Sequence, residues 1–548
     1  MEINYLIKKI LADRGLESEE DIHEFLSLKP KKTYDPLLLP DVEAGADLIL
    51  QEIGKGSRIM IYGDYDADGI TATTLMMSVL GHMMADRPGD LDYYIPSRFD
   101  EGYGLNMEAV EYIHDRGFDL IITVDCGSVS KNEVRHAEEL GMKVLVTDHH
   151  TITDTMADCL LINPKKPGSD YPFKELCGCG VAFKLAQVLQ ERAGLPKRVL
   201  SEVLDLVAIG TVGDIMPLID ENRTLVKYGL RVINQGARPG LNELIKGAGL
   251  TVGNVTSENV GFVIVPHLNA SGRIEDASMA VRLLLADEND PELSEMVDDI
   301  IFKNKERKRL QAETYKACME LADDEDFKII RCDEAHEGIA GIVAGKIKDH
   351  FYRPTVICMP THGEEGLLKG TGRSIEGVSL YELLKKHDDL FVKFGGHSGA
   401  CGFTMKEDDF IELKEKLLED ISELKGETPE IFVRKYPWDM DLDADEVSLD
   451  LADELELLSP FGNGNPKPAF RIRNVRLKDV RHMGSEGRHA RFTVHEGSRY
   501  LNCVLFNKAE ELSGVLTDGK GHDIIGYVEA QVWQGQKRLQ FIVENIID

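Results

Sequence analysis

A chain of 548 residues exceeds what one hydrophobic core organises, so three or four domains are expected. Apolar residues make up 43% and charged residues 29%, which fits a folded globular protein and excludes a disordered or fibrous one. The 63 basic residues stand against 96 acidic ones, and the formal charge of −33 excludes a uniformly basic nucleic-acid coat, so an anionic partner must be held by local patches or metal ions. The nine cysteines are scattered, and only Cys177 and Cys179 lie close together, at a spacing that matches no common zinc site. A reducing cytoplasm is the expected location. The opening MEINYLIKKILADRG lacks the apolar run of a signal peptide, and no apolar stretch reaches the length of a membrane span.

Residues 1–45 hold a short helical pattern and the Pro-containing KPKKTYDPLLLPD, the look of an amino-terminal arm. Residues 46–235 alternate short apolar runs with helical periods, which predicts a parallel α/β sheet. The runs are RIMIY (58–62), DYYI (92–95), LIITV (120–124), KVLV (143–146) and LLI (160–162). Residues 236–325 read as a helical connector, with a long charged stretch from Ala277 to about Asp324 interrupted at the turn-like ADENDP. A second α/β domain spans 326–428. Residues 429–548 begin as an acidic linker and continue as alternating strands, the pattern of a small β-barrel.

The candidate chemistry lies where the predicted strands end. RIMIYG runs into Asp64, Asp66 and Asp68, LIITV into Asp125, and KVLVT into Asp148, His149 and His150. Ligands of open parallel sheets gather beyond the carboxyl ends of strands, so these groups should meet in one crevice. Asp214, in GTVGDIMPL, follows the helical stretch 203–209 on a glycine-flanked loop that could close over it. Singly each feature has a plainer reading, since a lone Asp after a strand serves as a turn or helix cap. Asp-x-Asp-x-Asp-Gly also opens a calcium-binding EF-hand, but its twelfth position is Leu75, and a strand precedes it instead of a helix. Five or more carboxylates at one sheet edge repel unless cations sit between them. Oxygen ligands with imidazole suit two Mn²⁺ or Mg²⁺ ions, and such a pair assists hydrolytic displacement at phosphorus.

In order and spacing, GDYDADG, DCG, TDHH and GTVGDIMPL resemble the metal motifs of the DHH phosphoesterase superfamily. IPSRFDEGYGL (95–105), INPKK (162–166), CGCGVAFK (177–184) and PHLNASGRIEDA (266–277) are similar to its RecJ branch of single-stranded-DNA exonucleases. HEGIAGIVAGKI (336–347) and GGHSGACGF (395–403) resemble the accessory DHHA1 domain, and ELELLSPFGNGNPKPAF (454–470) resembles the start of the RecJ oligonucleotide-binding (OB) barrel. The resemblance implies that Asp66 with Asp64 holds one ion, that Asp68, His149 and Asp214 hold the other, and that Asp125 bridges them. It also implies that His150 lies beside the site, and Asp148 is expected to orient His149. The implied activity is 5′→3′ removal of 5′-mononucleotides from single-stranded DNA in recombination and repair. The implied partners are a single-strand-binding protein and a helicase, with the chain acting as a monomer.

An exonuclease must recognise a strand end, and arginine pairs bidentately with phosphate. Arg98, Arg273, and Arg373 with Ser374 are candidates because glycines beside them let backbone approach a phosphate closely. His397 in GGHSG is a further candidate polar contact. Between Lys467 and Arg499 nine basic residues face only Asp479, Glu486 and Glu496, the footprint of a strand-tracking groove. Phe470, Phe492, Tyr500, Phe506 and Trp533 are the candidate stacking faces, some of which must be core. Two other functions share these features: a DHH phosphodiesterase of short RNA or cyclic dinucleotides, and a non-catalytic single-strand-binding scaffold.

Overall fold

The five apolar runs of the first half are too short for helices and are rich in β-branched residues, and they pair as parallel strands. The computed structural model describes residues 3–98, 101–152, 155–274, 276–361, 364–484, 487–496, 499–512, 520–533 and 536–547. In it the strands are β1 (Ile59–Tyr62), β2 (Leu91–Tyr94), β3 (Leu120–Val124), β4 (Lys143–Thr147) and β5 (Leu160–Ile162), in the order β2-β1-β3-β4-β5. The chain passes from β1 to β2 on one side and then to β3 on the other, which makes the carboxyl ends of β1 and β3 the switch point of the sheet. The helices Ala67–Met83, Gly178–Arg192 and Leu204–Gly213 pack on one another beside this sheet. Met60, Tyr62, Ile121, Val144 and Val146 pack in a separate cluster with Val110 and Val134, which belong to the helices Met107–Asp115 and Lys131–Glu139.

By internal contacts the chain divides into two units. One comprises Met1–Tyr94, Tyr103–Val265 and Tyr436–Asp548, and the other Ile95–Gly102 and Pro266–Lys435. The second unit carries a mixed sheet of β6 (Lys328–Arg331), β7 (Thr355–Pro360), β8 (Leu367–Arg373), β9 (Phe391–His397) and β10 (Ala400–Lys406), in the order β6-β7-β8-β10-β9. Only β6 and β7 run parallel, and the helix Glu337–Phe351 packs on the sheet. The charged stretch before it forms the helices Ser278–Leu285 and Leu293–Leu321.

In the first unit, β11 (Met440–Asp441) leads to β12 (Phe470–Met483), β13 (His489–Glu496), β14 (Arg499–Leu505), β15 (His522–Trp533) and β16 (Gln536–Ile547). The order β12-β13-β14-β16-β15, with β15 pairing back onto β12, closes a five-stranded barrel. Phe470, Phe492 and Phe541 fill its core. The same core takes in Ile7, Ile10, Leu11 and Leu26 from the amino-terminal helices, and Leu451, Leu455 and Leu458 from the acidic stretch. Neither flank therefore behaves as a free arm or linker. Each carries one apolar helix stripe, and the barrel supplies the surface that stripe needs. Among the described residues no helix is long and apolar enough to cross a membrane.

Candidate metal centre

Asp66 caps the helix that follows β1, its Oδ1 accepting the backbone N–H groups of Asp68 (2.9 Å) and Gly69 (3.2 Å). Asp68 is fully buried, and its carboxylate accepts from the N–H of Gly178 (2.6 Å) and of Cys179 (2.9 Å) at the start of the helix Gly178–Arg192. The positive end of that helix dipole thus faces the acidic cluster. Two glycines make room for it. A Cβ on Gly178 would lie 2.4 Å from Asp125 Oδ1, and one on Gly210 would lie 2.5 Å from Asp68 Oδ1. The functional role of these glycines escaped the sequence reading, although CGCG at a helix start was a usable signal.

Asp125 leaves β3 with φ 62, a left-handed conformation that Asp tolerates better than most residues, and its N–H donates to Thr147 O (3.0 Å). His149 and His150 follow β4, and their rings lie 4.3 Å apart, tilted by 56° to each other. The His149 ring faces the carboxylates, with Nε2 at 3.2 Å from Asp125 Oδ1, 3.4 Å from Asp214 Oδ2 and 3.9 Å from Asp68 Oδ2. Asp148 was expected to orient His149 but holds the other ring: its Oδ1 lies 2.8 Å from His150 Nδ1 and accepts the N–H of both histidines, while Oδ2 accepts from Ser128 N–H. Tyr103 adds its hydroxyl 3.0 Å from His150 Nδ1. Asp214 stands at the C-cap of the helix Leu204–Gly213, not on a glycine-flanked loop, because GTVG continues the helix with Gly213 against Ala67.

Among the described residues three ligand-like groups result: Asp64, Asp66 and Asp125; Asp68, His149 and Asp214; and Asp125, His149 and His150, with the donor atoms of each within 4.8 Å of one another. Burial, followed by repulsion from Asp68 and Asp66, pushes the Asp214 carboxyl up to about 8, and the same causes raise Asp125. Burial lowers His149 to about 4, so its imidazole is neutral and free to coordinate at neutral pH. Burial also opposes charge on His150, but the bond and charge of Asp148 outweigh it and raise His150 to about 9. Asp125 Oδ1, Asp214 Oδ2 and both His149 ring nitrogens are buried without a hydrogen bond among the described residues. Orphaned acceptors converging on mutually repelling carboxylates fit divalent cations bound through oxygen and imidazole.

The candidate phosphate contacts lie in the second unit. Arg373, at the end of β8, donates to Gly372 O (2.8 Å), and its guanidinium lies over Gly341, where a Cβ would come 3.1 Å from a terminal nitrogen. Burial and then the charge of Arg98 lower its pKa from the ordinary value. Lys369, four positions earlier on the same strand face, is lowered by burial, Arg98 and Lys393, and pairs with Glu337. Arg273 donates to Gly338 O (3.0 Å), one turn before Gly341 on the helix Glu337–Phe351. Arg98, Arg373 and Lys369 therefore form one cationic cluster, with Arg273 on the same helix start. Ser374 and His397 are engaged in turns instead: Ser374 Oγ donates to Val378 O (2.7 Å) and His397 Nδ1 accepts from Gly399 N–H (3.3 Å). The strand alternation of KGTGR could have singled out Lys369.

Residues 58–211 match the DHH family, N-terminal domain, residues 324–424 the DHHA1 domain, and residues 438–545 the RecJ OB domain. Single-stranded-DNA-specific exonuclease RecJ of Bacillus subtilis (strain 168) is 39% identical over 550 residues, covering 100% of this chain and 68% of that protein. The chain belongs to the RecJ family. RecJ of Escherichia coli (strain K12) is 34% identical over 573 residues, covering 100% of this chain and 96% of that one. The crystal structure of RecJ from Thermus thermophilus in complex with Mn²⁺ matches with a TM-score of 0.84 at 30% identity, covering 100% of this chain and 76% of that one.

In this RecJ-family barrel Phe470 and Phe492 belong to the core, whereas Tyr500 is 67% and Phe506 50% exposed. The side chain of Trp533 lies outside the described residues. Arg471 and Arg473 pair with Asp441, and Lys467 with Glu529. Exposed Arg481 and Arg491 stand directly opposite each other on β12 and β13, a like-charge pair that an anion between them would relieve.

Proposed function

We propose that this chain is a metal-dependent exonuclease that degrades single-stranded DNA from its 5′ end to 5′-mononucleotides, in recombination and repair. The observation that carries the reading is the buried convergence of Asp64, Asp66, Asp68, Asp125, His149 and Asp214 at the switch point of the sheet. The RecJ relatives named above are single-stranded-DNA-specific exonucleases, and the Thermus thermophilus protein has been crystallised with Mn²⁺ and with Mg²⁺. Asp64 and Asp66 would hold one ion, Asp68, His149 and Asp214 the second, and Asp125 would reach both. Such a pair lowers the pKa of water and stabilises the entering and leaving oxygens of an in-line displacement.

The chain's own groups do the rest. The helix beginning at Gly178 fixes Asp68 by two backbone bonds, so that ligand needs no reorientation. His150, charged at neutral pH and held between Asp148 and Tyr103, binds a non-bridging phosphate oxygen. Arg98, Arg373 and Lys369 bind the terminal phosphate, with Arg273 supporting them. The closed barrel tracks the strand, a surface that a phosphodiesterase of dinucleotides has no use for. A complete ligand set likewise speaks against a silent scaffold. All nine cysteines are free thiols, which supports action in the cytoplasm. A monomer working beside a single-strand-binding protein and a helicase completes the reading.

Oligonucleotides labelled at either end, incubated with Mn²⁺, test the reading directly. Immediate release of mononucleotide from the 5′ label, while the 3′ label shortens gradually, is the expected result. Intact DNA alongside hydrolysed dinucleotide would overturn the substrate assignment. Arg373→Ala should lower kcat/KM on a 5′-phosphorylated strand by about 10- to 100-fold, the worth of a hydrogen bond to a charged group. The loss should be much smaller on a 5′-hydroxyl strand, and equal losses on both would remove the strand-end role. In the barrel, Arg481→Ala with Arg491→Ala should flatten the log–log salt dependence of single-strand affinity by about 0.7 for each phosphate no longer neutralised. An unchanged slope would take these arginines out of the groove.

A further inference from the structure

The loop that leaves Asp214 is clasped by a segment some 250 residues later. Asn463 Nδ2 donates to Ile215 O (2.7 Å), and Leu218 N–H donates back to Asn463 O (2.7 Å). The flanking glycines allow the two backbones this approach. A Cβ on Gly462 would lie 2.7 Å from Leu218 Cδ1, and one on Gly464, whose φ is +70, would lie 2.9 Å from Pro217 Cβ. Arg223 donates to Ser459 O (2.8 Å) and Pro460 O (3.4 Å), and Ser257 Oγ to Phe461 O (2.8 Å), so the clasp is itself anchored along its length.

The loop needs such a clasp. Ile215 has φ 56, a conformation strongly disfavoured for a β-branched residue, and its side chain is 70% exposed, so no packing of that side chain offsets the strain. On the other side of the loop, Ile215 N–H donates to Val212 O (3.2 Å) and Met216 N–H to Thr211 O (3.0 Å), which ends the helix that carries Asp214. Asp214 is thus set between a helix end and a peptide unit whose carbonyl Asn463 holds. That carbonyl belongs to the residue directly after the carboxylate lying 3.4 Å from His149 Nε2.

We propose that Asn463 is a positioning residue for the metal centre, fixing the Ile215–Leu218 loop so that Asp214 meets His149 and Asp68. The clasp lies immediately before β12, so the segment that leads into the barrel also sets one ligand of the hydrolytic site. The inference rests on the reading of Asp214 as a metal ligand.

The test is Mn²⁺ binding by the metal-free full chain, followed by the electron paramagnetic resonance signal of free Mn²⁺, together with steady-state kinetics on single-stranded DNA. Asn463→Ala should weaken one class of Mn²⁺ site about tenfold, the scale typical of residues that hold a ligand in place, and leave the other unchanged. kcat should fall by a similar factor while KM for the strand stays within about twofold. A merely structural role would lower the melting temperature and leave the isotherm of the folded chain as it was, and that result overturns the proposal. Asp214→Ala run in parallel separates the two failures. If it does not weaken Mn²⁺ binding, the ligand assignment is wrong, whereas if it does and Asn463→Ala does not, the positioning role is wrong. Should the alanine variant not fold, Asn463→Ser keeps the backbone bond to Leu218 but not the reach to Ile215 O, and it carries the same expected and overturning results.

Discussion

Asp125→Ala should reduce kcat on single-stranded DNA by about 10³-fold or more while the chain stays folded. Asp125 belongs to the group of Asp64 and Asp66, and its Oδ1 lies 3.2 Å from His149 Nε2 of the group with Asp68 and Asp214, so its loss opens both proposed ion sites, and several kcal/mol of charge stabilisation at the reacting phosphate goes with them. The fold should tolerate the change because the buried carboxylate is repelled by Asp68, Asp66, Asp64 and Asp214 and is itself raised by burial. Against that relief stands the poorer fit of alanine to φ 62, a cost of about 1 kcal/mol. The two act in opposite directions on the metal-free melting temperature. The added stability conferred by Mn²⁺, about 2.7 kcal/mol at a hundredfold excess over Kd, should disappear. Thermal melts with and without Mn²⁺, beside single-turnover cleavage, check both parts. Retention of activity within tenfold would sink the two-ion assignment.

Gly178→Ala should come second in magnitude, with kcat falling about 100-fold. The new Cβ would sit 2.4 Å from Asp125 Oδ1, 2.5 Å from its Cβ and 2.6 Å from its Cγ, so the residue, backbone included, must shift by about an ångström, enough to cost about 10² in a site built on orientation. Gly178 opens its helix, where alanine is favoured by up to about 1 kcal/mol over glycine, and this partly offsets the overpacking against Asp125. Alanine keeps the N–H that donates to Asp68, and the clash itself falls on Asp125. A weakened Mn²⁺ isotherm of the folded chain, read beside its melting temperature, is the expected result, and full activity would show that Asp125 has room to spare.

The strands and their acidic ends were legible because each signal is local: an apolar run followed within a few residues by Asp64, Asp125 or His149. Gly178 and Gly210 were not, since the reason for each glycine is a carboxylate more than fifty residues away in the chain. The pairing of Asp148 with His150 was equally hidden. The two histidine rings lie only 4.3 Å apart, and nothing local in TDHH tells which of them meets Asp148 Oδ1. Lys369 is marked only by the alternation of its strand, a signal it shares with every residue on that face. The amino-terminal and acidic stretches read as arm and linker because a single apolar stripe of two turns carries no sign of the surface it will cover, and that surface is made by strands far along the chain.

This last arrangement bears on how the protein is made. Asn4 Nδ2 donates to Glu454 Oε2 across 450 residues, and Ile7, Ile10 and Leu11 complete a core whose strands come still later. At a ribosome's pace of about 5–20 residues per second, the first helix waits roughly 20–90 s for its partner to be synthesised. For that interval an apolar stripe is held outside any core, so the order of synthesis, and not the final stability, sets when this segment is most open to chaperones and proteases.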